Sequence, residues 1–498
     1  MTIHFLDLPS EILVLILHFL DLTSLIACIA INRRVKSVID GSAWLQYRMA
    51  AQAACVEDNP GNTYMTSTER SFSLQKRQTA FAELLPSSVG TIQMDNFPVL
   101  NSYALSGGIF VMTESNKKAL RWERLELDEY ILDFALAVPE ENLLLVLSSN
   151  APLDVNPLPT NPVLKLRLYE MSTGSAHRGA QEPVIIVPIA VVGSLEIELD
   201  ICGPKVFILT MIIENHDIAM QSSRILVYDW KKGRLQMDLA DNYSTAVFLS
   251  TDVILLANET RGSLELWAIP NVPERISGPE ISLQLPQVAD HRLYCIFRVD
   301  SNPKGNHMSA SHQPFHSSFV DSIVALKMTA LHQDETEVQD MYLIFPRRAL
   351  LQKMSSTENR GEKRLWADWG PSISRWVPTS ISTREWPTIT CGQRCVFLMP
   401  DRSILLLDFN PHTRKRTLFR EGEQNDDHFI SLLPSELDFM NKLALCGAQV
   451  LSGAEYVAKK PREATTWDGV MMDEEWIVGI KDTTESDGKF SLEIWHLG

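Results

Sequence analysis

The sequence predicts an α+β multidomain fold in which a small helical module is followed by a linker helix and then by a long all-β domain. The N-terminal module contains short apolar helices separated by capping residues, and a second helical pattern at 67–85 starts with a capping signal. From about residue 97 onward, short apolar runs alternate with Gly, Asn, Asp and Pro, which is typical of β-strands and turns. The predicted boundaries are residues 1–50, 51–96 and 97–498.

The first helix of the N-terminal module is more apolar than the surface helix of an isolated domain. Residues 11–20 read EILVLILHFL, in which only a glutamate and a histidine are polar. An ordinary surface helix has a single apolar stripe about 100° wide. Here Ile12, Ile16 and Leu20 form one stripe, and most of the remaining surface is apolar as well. Because a module this small cannot bury such a helix by itself, a partner protein or lipid must cover it.

An ordinary helical bundle without a partner and a membrane span are the two alternatives. Residues 12–31 have the length of a span, which is ~20 residues. The run nevertheless contains polar side chains near its middle, at His18, Asp21, Thr23 and Ser24. A central Asp costs roughly 2.5–3.5 kcal/mol on insertion scales, and no Lys or Arg precedes the run as in a signal peptide. We therefore expect no membrane insertion.

Capping residues divide the module into four short helices. Asp21 can end the first helix and cap the second, and Asn32 can cap a third helix that runs to about Asp40. A turn containing Gly41 then precedes a fourth helix at 43–54. Helices this short depend on tertiary packing.

The order of motifs in this module resembles an F-box. The run Leu8-Pro9-Ser10-Glu11-Ile12-Leu13 is followed by Leu20-Asp21, Ser24-Leu25, Arg33-Arg34 and Trp44-Leu45. The resemblance covers about a tenth of the chain. It implies a docking module that binds the Skp adaptor and, through it, a cullin–RING scaffold. The residues that the resemblance assigns as adaptor contacts are Leu8, Pro9, Ile12, Leu13, Ile16, Leu20 and Leu25.

A linker helix is predicted after the F-box-like module. Thr66-Ser-Thr-Glu69 fits a capping box, which opens a helical pattern that continues to about Leu85, and Pro86 ends it. We interpret this helix as the connection that fixes the distance between the N-terminal module and the β domain.

The β domain contains a recurring pattern in which an apolar residue, a residue of any type and a second apolar residue are followed by an aromatic residue or Asp. A polar turn comes next. We call these segments the strand markers, and another apolar run usually precedes each one. The strand markers lie at 166–169, 226–230, 264–267, 342–345, 405–408 and 492–495, with a looser copy at 119–122.

This pattern resembles degenerate WD-repeat blades, and it predicts a degenerate β-propeller. At ~45–55 residues per blade, the domain has room for roughly seven blades. We expect the last blade to be completed by a strand from the other end of the repeat region, which would hold the C-terminal strand in a sheet. A pair of β-sandwiches or an irregular β domain is the alternative. The layout also resembles a fungal family of F-box proteins, through residues 74–78, 103–110 and 454–456.

Composition restricts the partners and the compartment. The net charge of −17 repels phosphate backbones, so we expect no nucleic-acid partner. The seven cysteines are scattered and odd in number, which favours reduced thiols in a cytoplasmic or nuclear protein over a disulfide framework.

Catalytic and metal-binding motifs are absent from the sequence. It contains no G-x-S-x-G, G-x-G-x-x-G, phosphate-loop or H-E-x-x-H pattern, so we predict no catalytic residue, cofactor or metal. Cys391 and Cys395 lack a second ligand pair at zinc spacing. His307, His312 and His316 could hold a metal, but a polar mobile loop is the expected structure there.

Taken together, these patterns predict a substrate-recognition subunit of an SCF-type ubiquitin ligase that performs no catalysis itself. Its F-box would bind the Skp adaptor, and its β domain would recruit a protein substrate that the sequence does not identify. The alternative is a protein-interaction scaffold that uses the same two modules without a role in ubiquitin transfer. A third class, a propeller hydrolase, requires convergent polar residues at the central channel.

Overall fold

The N-terminal module folds as the four predicted short helices, which follow a 3-10 turn at Phe5–Asp7. The helices are α1 Ser10–Leu17, α2 Leu22–Ile31, α3 Arg33–Asp40 and α4 Ala43–Ala53.

The computed structural model describes residues 5–59, 61–62, 64–95, 100–114, 119–120, 125–153, 162–188, 194–213, 222–271, 278–287, 291–306, 313–332, 338–356, 360–378, 388–413, 429–432, 442–445, 448–451, 454, 456–461, 464–483 and 489–498.

Side-chain caps explain where these helices begin. The Oδ1 atom of Asp21 accepts a hydrogen bond from the backbone N–H of Ser24 at 2.7 Å. Asn32 Oδ1 accepts from the N–H groups of Arg34 and Val35, at 2.8 and 3.1 Å. Both caps satisfy amide groups that have no partner within the first turn of a helix.

A short strand and the predicted linker helix follow, β1 Val56–Asp58 and α5 Ser67–Glu83. The capping box at the start of α5 is confirmed, because Thr66 Oγ1 accepts from the N–H of Glu69 while the Glu69 carboxylate accepts from the N–H of Thr66. The helix ends at Leu84, whose φ of 46° is left-handed.

Within the described residues, the β domain is propeller-like and consists of six full blades and one further sheet, which we call the reduced blade. In the reduced blade, β5 and β6 are described over two residues each, and residues 115–118 and 121–124 lie outside the described residues. The domain begins with β2 Ser88–Asp95, and the strands of the reduced blade are β3 Leu100–Ser106, β4 Ile109–Glu114, β5 Ala119–Leu120 and β6 Leu125–Glu126.

Blades 1, 2 and 3 each consist of four consecutive antiparallel strands. Blade 1 also contains the short helix α6 Val138–Glu141. The strands are β7 Tyr130–Ala137, β8 Leu143–Ser149, β9 Leu164–Glu170 and β10 Val184–Val187 in blade 1; β11 Ser194–Cys202, β12 Lys205–Ile213, β13 Ser222–Asp229 and β14 Arg234–Asp241 in blade 2; and β15 Tyr243–Ser250, β16 Val253–Asn258, β17 Ser263–Ala268 and β18 Ile281–Gln284 in blade 3.

Blade 4 contains two insertions. The first, between its first and second strands, carries β20 Ser301–Asn302 and β21 Phe315–Ser317. The second, between its third and fourth strands, carries α7 Arg347–Ser355, β24 Glu362–Arg364 and α8 Trp366–Ile373, and β24 joins blade 3 as a fifth strand. The blade itself is formed by β19 His291–Arg298, β22 Ile323–His332, β23 Val338–Pro346 and β25 Arg375–Pro378.

Blade 5 has six strands in the order β20-β26-β27-β28-β32-β29, and blade 6 has four in the order β33-β34-β35-β2. A separate hairpin is formed by β30 Lys442–Leu445 and β31 Ala448–Leu451. The remaining strands are β26 Thr390–Cys391, β27 Arg394–Leu398, β28 Ile404–Asp408, β29 Phe429–Leu432, β32 Val457–Pro461, β33 Gly469–Met472, β34 Trp476–Thr483 and β35 Lys489–His496.

The strand markers identify the third strand of every full blade, if β20 is not counted as a strand of blade 5. The six markers fall at β9, β13, β17, β23, β28 and β35. The looser copy starts at β5, the third strand of the reduced blade, and its Trp lies outside the described residues. The expectation of roughly seven blades is therefore close, with six full blades and one reduced blade.

Blade 6 closes the ring as expected, because its strands come from both ends of the β domain. The C-terminal strand β35 lies between β34 and β2, and it pairs with both over its full length. Residues 88–95 were expected in the linker, so the β domain begins earlier than the predicted boundary at residue 97. Trp495 is half-buried against Trp467, at 4.9 Å between ring centres, and Leu492 and Leu497 are the buried side chains of this segment.

Charged side chains lie on and near the innermost strands of blades 2 and 4. Arg298 and Lys304 both contact Asp200 and Asp300, with Lys304 Nζ 2.7 Å from Asp200 Oδ1 and 3.4 Å from Asp300 Oδ1. Burial raises the pKa of Asp300, but the charges of Lys304 and Arg298 outweigh it and lower that pKa to about 2. Two cations and two carboxylates thus neutralise each other in the interior.

Candidate functional site

An uncovered apolar stripe runs along helix α1 and into the residues that follow it. We call Ile12, Leu15, Ile16 and Phe19 the α1 stripe; their side chains are 41%, 55%, 39% and 83% exposed. Their spacing of three, four and seven residues places them on one face of a helix. Exposed apolar surface of this kind marks a protein-interaction site.

The opposite face of α1 holds the helix in the core of its own module. Leu13 and Leu17 are buried there, and the core is completed by residues from the other three helices, including Leu25, Val35 and Leu45. The ring of His18 stacks on that of Trp44 with a 4.2 Å separation between ring centres. The small core therefore fixes α1 and leaves the stripe on the outside.

The structure divides the seven residues predicted as adaptor contacts into two groups. Pro9, Ile12 and Ile16 are exposed, and Leu8 and Leu20 are half-buried. Leu13 and Leu25 are completely buried, because their side chains fill the small core of the module. Direct adaptor contact by these two residues would therefore require the module to open.

Leu15 and Phe19 belong to the α1 stripe although they are not among the predicted adaptor contacts. Both are more exposed than Ile12 and Ile16. Spacing relative to Ile12 was the available signal, since Leu15 and Phe19 follow it by three and seven residues. Other exposed apolar side chains of the module are Phe5, Ile26 and Ile31.

A short β-ladder attaches the N-terminal module to the β domain. Strand β1 pairs antiparallel with β21, which lies in the first insertion of blade 4. The pairing includes His316, which is buried. The polar loop expected around the three histidines is therefore wrong for this part, while His307 and His312 lie outside the described residues. Among the residues that the structure describes, no group of three metal-ligating side chains is found.

Helix α5 makes a second attachment through a buried ion pair. Arg77 Nη1 lies 3.1 Å from Glu474 Oε2 in the turn between β33 and β34. The guanidinium also lies over the ring of Phe315, 4.4 Å from its centre. Phe315 packs in turn with Tyr47, Val56 and other residues of the N-terminal segment. This packing joins the four-helix module, the linker helix and two blades.

These attachments lie on one face of the propeller. Glu474, which binds Arg77, lies in the turn between the first two strands of blade 6. Arg394 lies at the corresponding turn of blade 5 and donates to Gln78 at 2.7 Å. Asn410, which follows the third strand of blade 5, donates to the carbonyl of Ala53 at 2.9 Å. Because antiparallel strands alternate in direction, these turns share one end of the blades.

Comparison with known proteins supports the assignment of the N-terminal module. Residues 5–49 match the family model described as F-box-like. No curated protein matches the chain. The N-terminal module is therefore an F-box-like region, and it is followed by a propeller-like domain. F-box regions generally bind Skp-type adaptors, so this combination is that of an interaction adaptor.

The structure describes only some of the other segments that the sequence makes notable. Cys391 and Cys395 are buried on β26 and β27, as expected for core residues, and the six described cysteines are free. None of the helices in the described ranges has the length and apolar character needed to span a membrane. A repeat of the F-box entry motif at 433–437 and most of a Pro-rich stretch at 150–162 lie outside the described residues.

Proposed function

We propose that this protein is the substrate-recognition subunit of an SCF-type ubiquitin ligase. The α1 stripe docks on the Skp adaptor, and the propeller-like domain recruits a protein substrate. The observation that carries the proposal is an exposed apolar stripe within a segment that matches the F-box-like family. The six described cysteines form no disulfide, which favours a cytoplasmic or nuclear location.

Rigid attachment supports this function because a ligase must present its substrate at a defined distance. The β1–β21 ladder and the Arg77–Glu474 pair meet at β21. Arg394 and Asn410 of blade 5 make further contacts to Gln78 and Ala53, so the F-box-like module has little freedom to rotate on the propeller. The charges around Arg298 are buried and neutralise one another. Such a network suits a structural role better than hydrolysis, which supports the proposal that the protein performs no catalysis.

Adaptor binding tests the proposal directly. The full-length protein, co-expressed with a fungal Skp adaptor, should co-purify with it, whereas the variant Leu15→Asp/Ile16→Asp should lose the adaptor. Burying a carboxylate without a partner at the docking surface costs several kcal/mol if it stays charged. Ile186→Asp is a matched control, because Ile186 is as exposed as Leu15 but lies on β10.

Two results would contradict parts of the proposal. Equal adaptor recovery by the double variant would exclude the α1 stripe as the docking surface. Adaptor binding without co-purification of a cullin would favour the alternative of a scaffold that takes no part in ubiquitin transfer. Mass spectrometry of the material bound to the wild-type complex would then identify substrates.

A further inference from the structure

The connection between the first two strands of blade 4 is much longer than its counterparts in other blades. The first two strands of blade 2 are joined by residues 203–204, whereas those of blade 4 are joined by residues 299–322. We call residues 299–305 the channel plug and residues 313–322 the return segment, and residues 307–312 lie outside the described residues. Because two residues are enough to join antiparallel strands, the additional chain is available for another role.

The channel plug contacts four blades other than its own. Asn302 Nδ2 donates to the carbonyl of Leu105 in the reduced blade at 2.8 Å. The N–H of Lys304 donates to Glu140 Oε1 in blade 1 at 2.6 Å, and the Lys304 carbonyl accepts from the N–H of Gly203 in blade 2 at 3.0 Å. Strand β20 of the plug pairs with β26 of blade 5. Glu140 and Gly203 lie between the first two strands of their blades, which is the end where the F-box-like module is attached. The plug therefore crosses the central channel on that face.

The return segment holds the F-box-like module. It contains β21, which pairs with β1. At one end of this ladder the N–H of Asn59 donates to the carbonyl of Pro314 at 3.0 Å, and at the other end the N–H of Ser318 donates to the carbonyl of Cys55 at 2.9 Å. Ser318 Oγ also donates to Glu57 Oε1 at 2.6 Å. One insertion thus supplies both the channel plug and an attachment of the module.

Arg347, the first residue of α7, contacts both parts of this insertion. Its guanidinium lies over the ring of Phe319 in the return segment, 4.0 Å from the ring centre, and its Nε atom donates to Ser322 Oγ at 3.0 Å. Its Nη2 atom donates to Ser301 Oγ in the channel plug at 3.3 Å, and Nη1 donates to the carbonyl of Phe248 in blade 3. The side chain is 2% exposed, and burial lowers the pKa of Arg347 to about 10, so the group is charged at neutral pH. One rigid guanidinium thus fixes the plug relative to the return segment.

We propose that Arg347 is a positioning residue, which couples the channel plug to the return segment and so sets the orientation of the F-box-like module on the propeller. A change at the plug is then passed through this side chain to the β1–β21 ladder. This role depends on the proposed function for its consequence, because a ligase needs a fixed distance between adaptor and substrate. A purely local role for Arg347 in blade 4 would lower stability without a selective effect on that ladder.

Hydrogen exchange of the full-length protein tests this coupling. Arg347→Lys keeps the positive charge, but one ammonium group cannot make all of the contacts of the guanidinium. We expect the ladder peptides, residues 55–59 and 313–318, to exchange at least ~10-fold faster than in wild type, which is about 1.4 kcal/mol. Strand β12, in the core of blade 2, should change by a clearly smaller factor.

Arg375→Lys is a matched control. Arg375 is also buried, its guanidinium lies 4.9 Å from the centre of the Tyr456 ring, and its Nε atom donates to the carbonyl of Ala454 at 2.8 Å. It lies on β25, the outermost strand of blade 4. The variant should lose stability in urea denaturation as Arg347→Lys does, but its ladder peptides and β12 should change by the same factor.

A second variant acts on the channel plug and leaves Arg347 in place. Asn302→Leu keeps all charges and removes the side-chain hydrogen bond to Leu105. Its ladder peptides should also exchange faster relative to β12, whereas Asn258→Leu, the same change at a buried residue of blade 3, should show no such selectivity. Equal changes in the ladder and in β12, in either Arg347→Lys or Asn302→Leu, would overturn the coupling. Adaptor recovery should match wild type in all of these variants. Failure of wild type to recover the adaptor would contradict the proposed function and leave the exchange comparison intact.

Discussion

Arg77 and Glu474 form a buried ion pair, with 3.1 Å between Nη1 and Oε2, that joins the linker helix to the closing blade. Glu474 also accepts hydrogen bonds from the N–H and the hydroxyl of Ser317, at 2.7 and 3.0 Å. One carboxylate therefore holds α5, blade 6 and the strand that pairs with β1. The orientation of the F-box-like module on the propeller depends on this contact.

Removing one partner of this pair should be strongly destabilising. Arg77→Ala leaves the Glu474 carboxylate buried without its cation, which costs about 3–5 kcal/mol. Thermal unfolding should therefore begin at a lower temperature, and limited proteolysis should cleave near α5 sooner. Gln75→Ala is the control, because Gln75 is an exposed neighbour on the same helix. The double variant Arg77→Met/Glu474→Gln should lose less stability than the two single changes added together, and simple additivity would show that the two side chains are not coupled.

Local patterns in the sequence predicted much of this fold. The third strand of each full blade was found from its alternating apolar residues and terminal aromatic or Asp, because these features depend only on neighbouring positions. The capping residues Asp21, Asn32 and Thr66 were found for the same reason, since each acts on an amide two or three residues away.

Long-range pairing accounts for what the sequence did not predict. Strand β2 was placed in the linker because its partner, β35, is about four hundred residues away along the chain. The ladder between β1 and β21 was missed for the same reason. In the candidate site, Leu13 was grouped with Ile16 because the resemblance to an F-box assigned both residues as adaptor contacts. Only the packing of α1 on α2, α3 and α4 shows which of them is left on the surface.

Substitutions at Leu13 and Ile16 should therefore affect different properties, namely stability at Leu13 and adaptor binding at Ile16. Leu13→Ala removes a fully buried side chain, which typically costs 2–5 kcal/mol, so the F-box-like module should unfold more easily. Ile16→Ala should leave stability nearly unchanged, because that side chain is exposed, but it should weaken adaptor binding. Hydrogen exchange of the module and calorimetric titration with the adaptor measure the two effects. A loss of stability at Ile16 equal to that at Leu13 would contradict this division.

Removal of the C-terminal strand should prevent stable folding of the β domain. Without residues 489–498, β34 and β2 both lose the strand that lies between them, and the buried side chains of Leu492 and Leu497 are lost. Open strand edges promote aggregation. We expect the truncated protein to be insoluble or to melt far lower than the full chain in a thermal scan. An unchanged thermal midpoint would mean that ring closure does not depend on β35.

Buried carboxyl groups should make stability fall as pH rises from about 5 to 8. Burial raises the pKa of Glu140 to about 7, although the N–H of Lys304 donates to its Oε1 atom at 2.6 Å. The unfolded chain has a glutamate pKa of about 4.3. Between these two pKa values the folded protein binds more protons than the unfolded chain. The stabilisation from this group is therefore complete below the unfolded pKa, and it is lost as pH rises through the folded pKa. Burial raises the pKa of Asp133 and of Glu198 in the same direction.

Glu140→Gln tests this linkage because it keeps an acceptor for the Lys304 amide and removes the titration. A single group contributes a slope of at most about 1.4 kcal/mol per pH unit. The variant's free energy of unfolding, measured by urea denaturation at half-unit steps from pH 5 to 8, should therefore decline less steeply than that of wild type. Asp128→Asn changes an exposed carboxyl in the same way, and its profile should run parallel to wild type. If Glu140→Gln also runs parallel, Glu140 is ionised in the folded protein throughout this range and its burial does not govern the pH dependence.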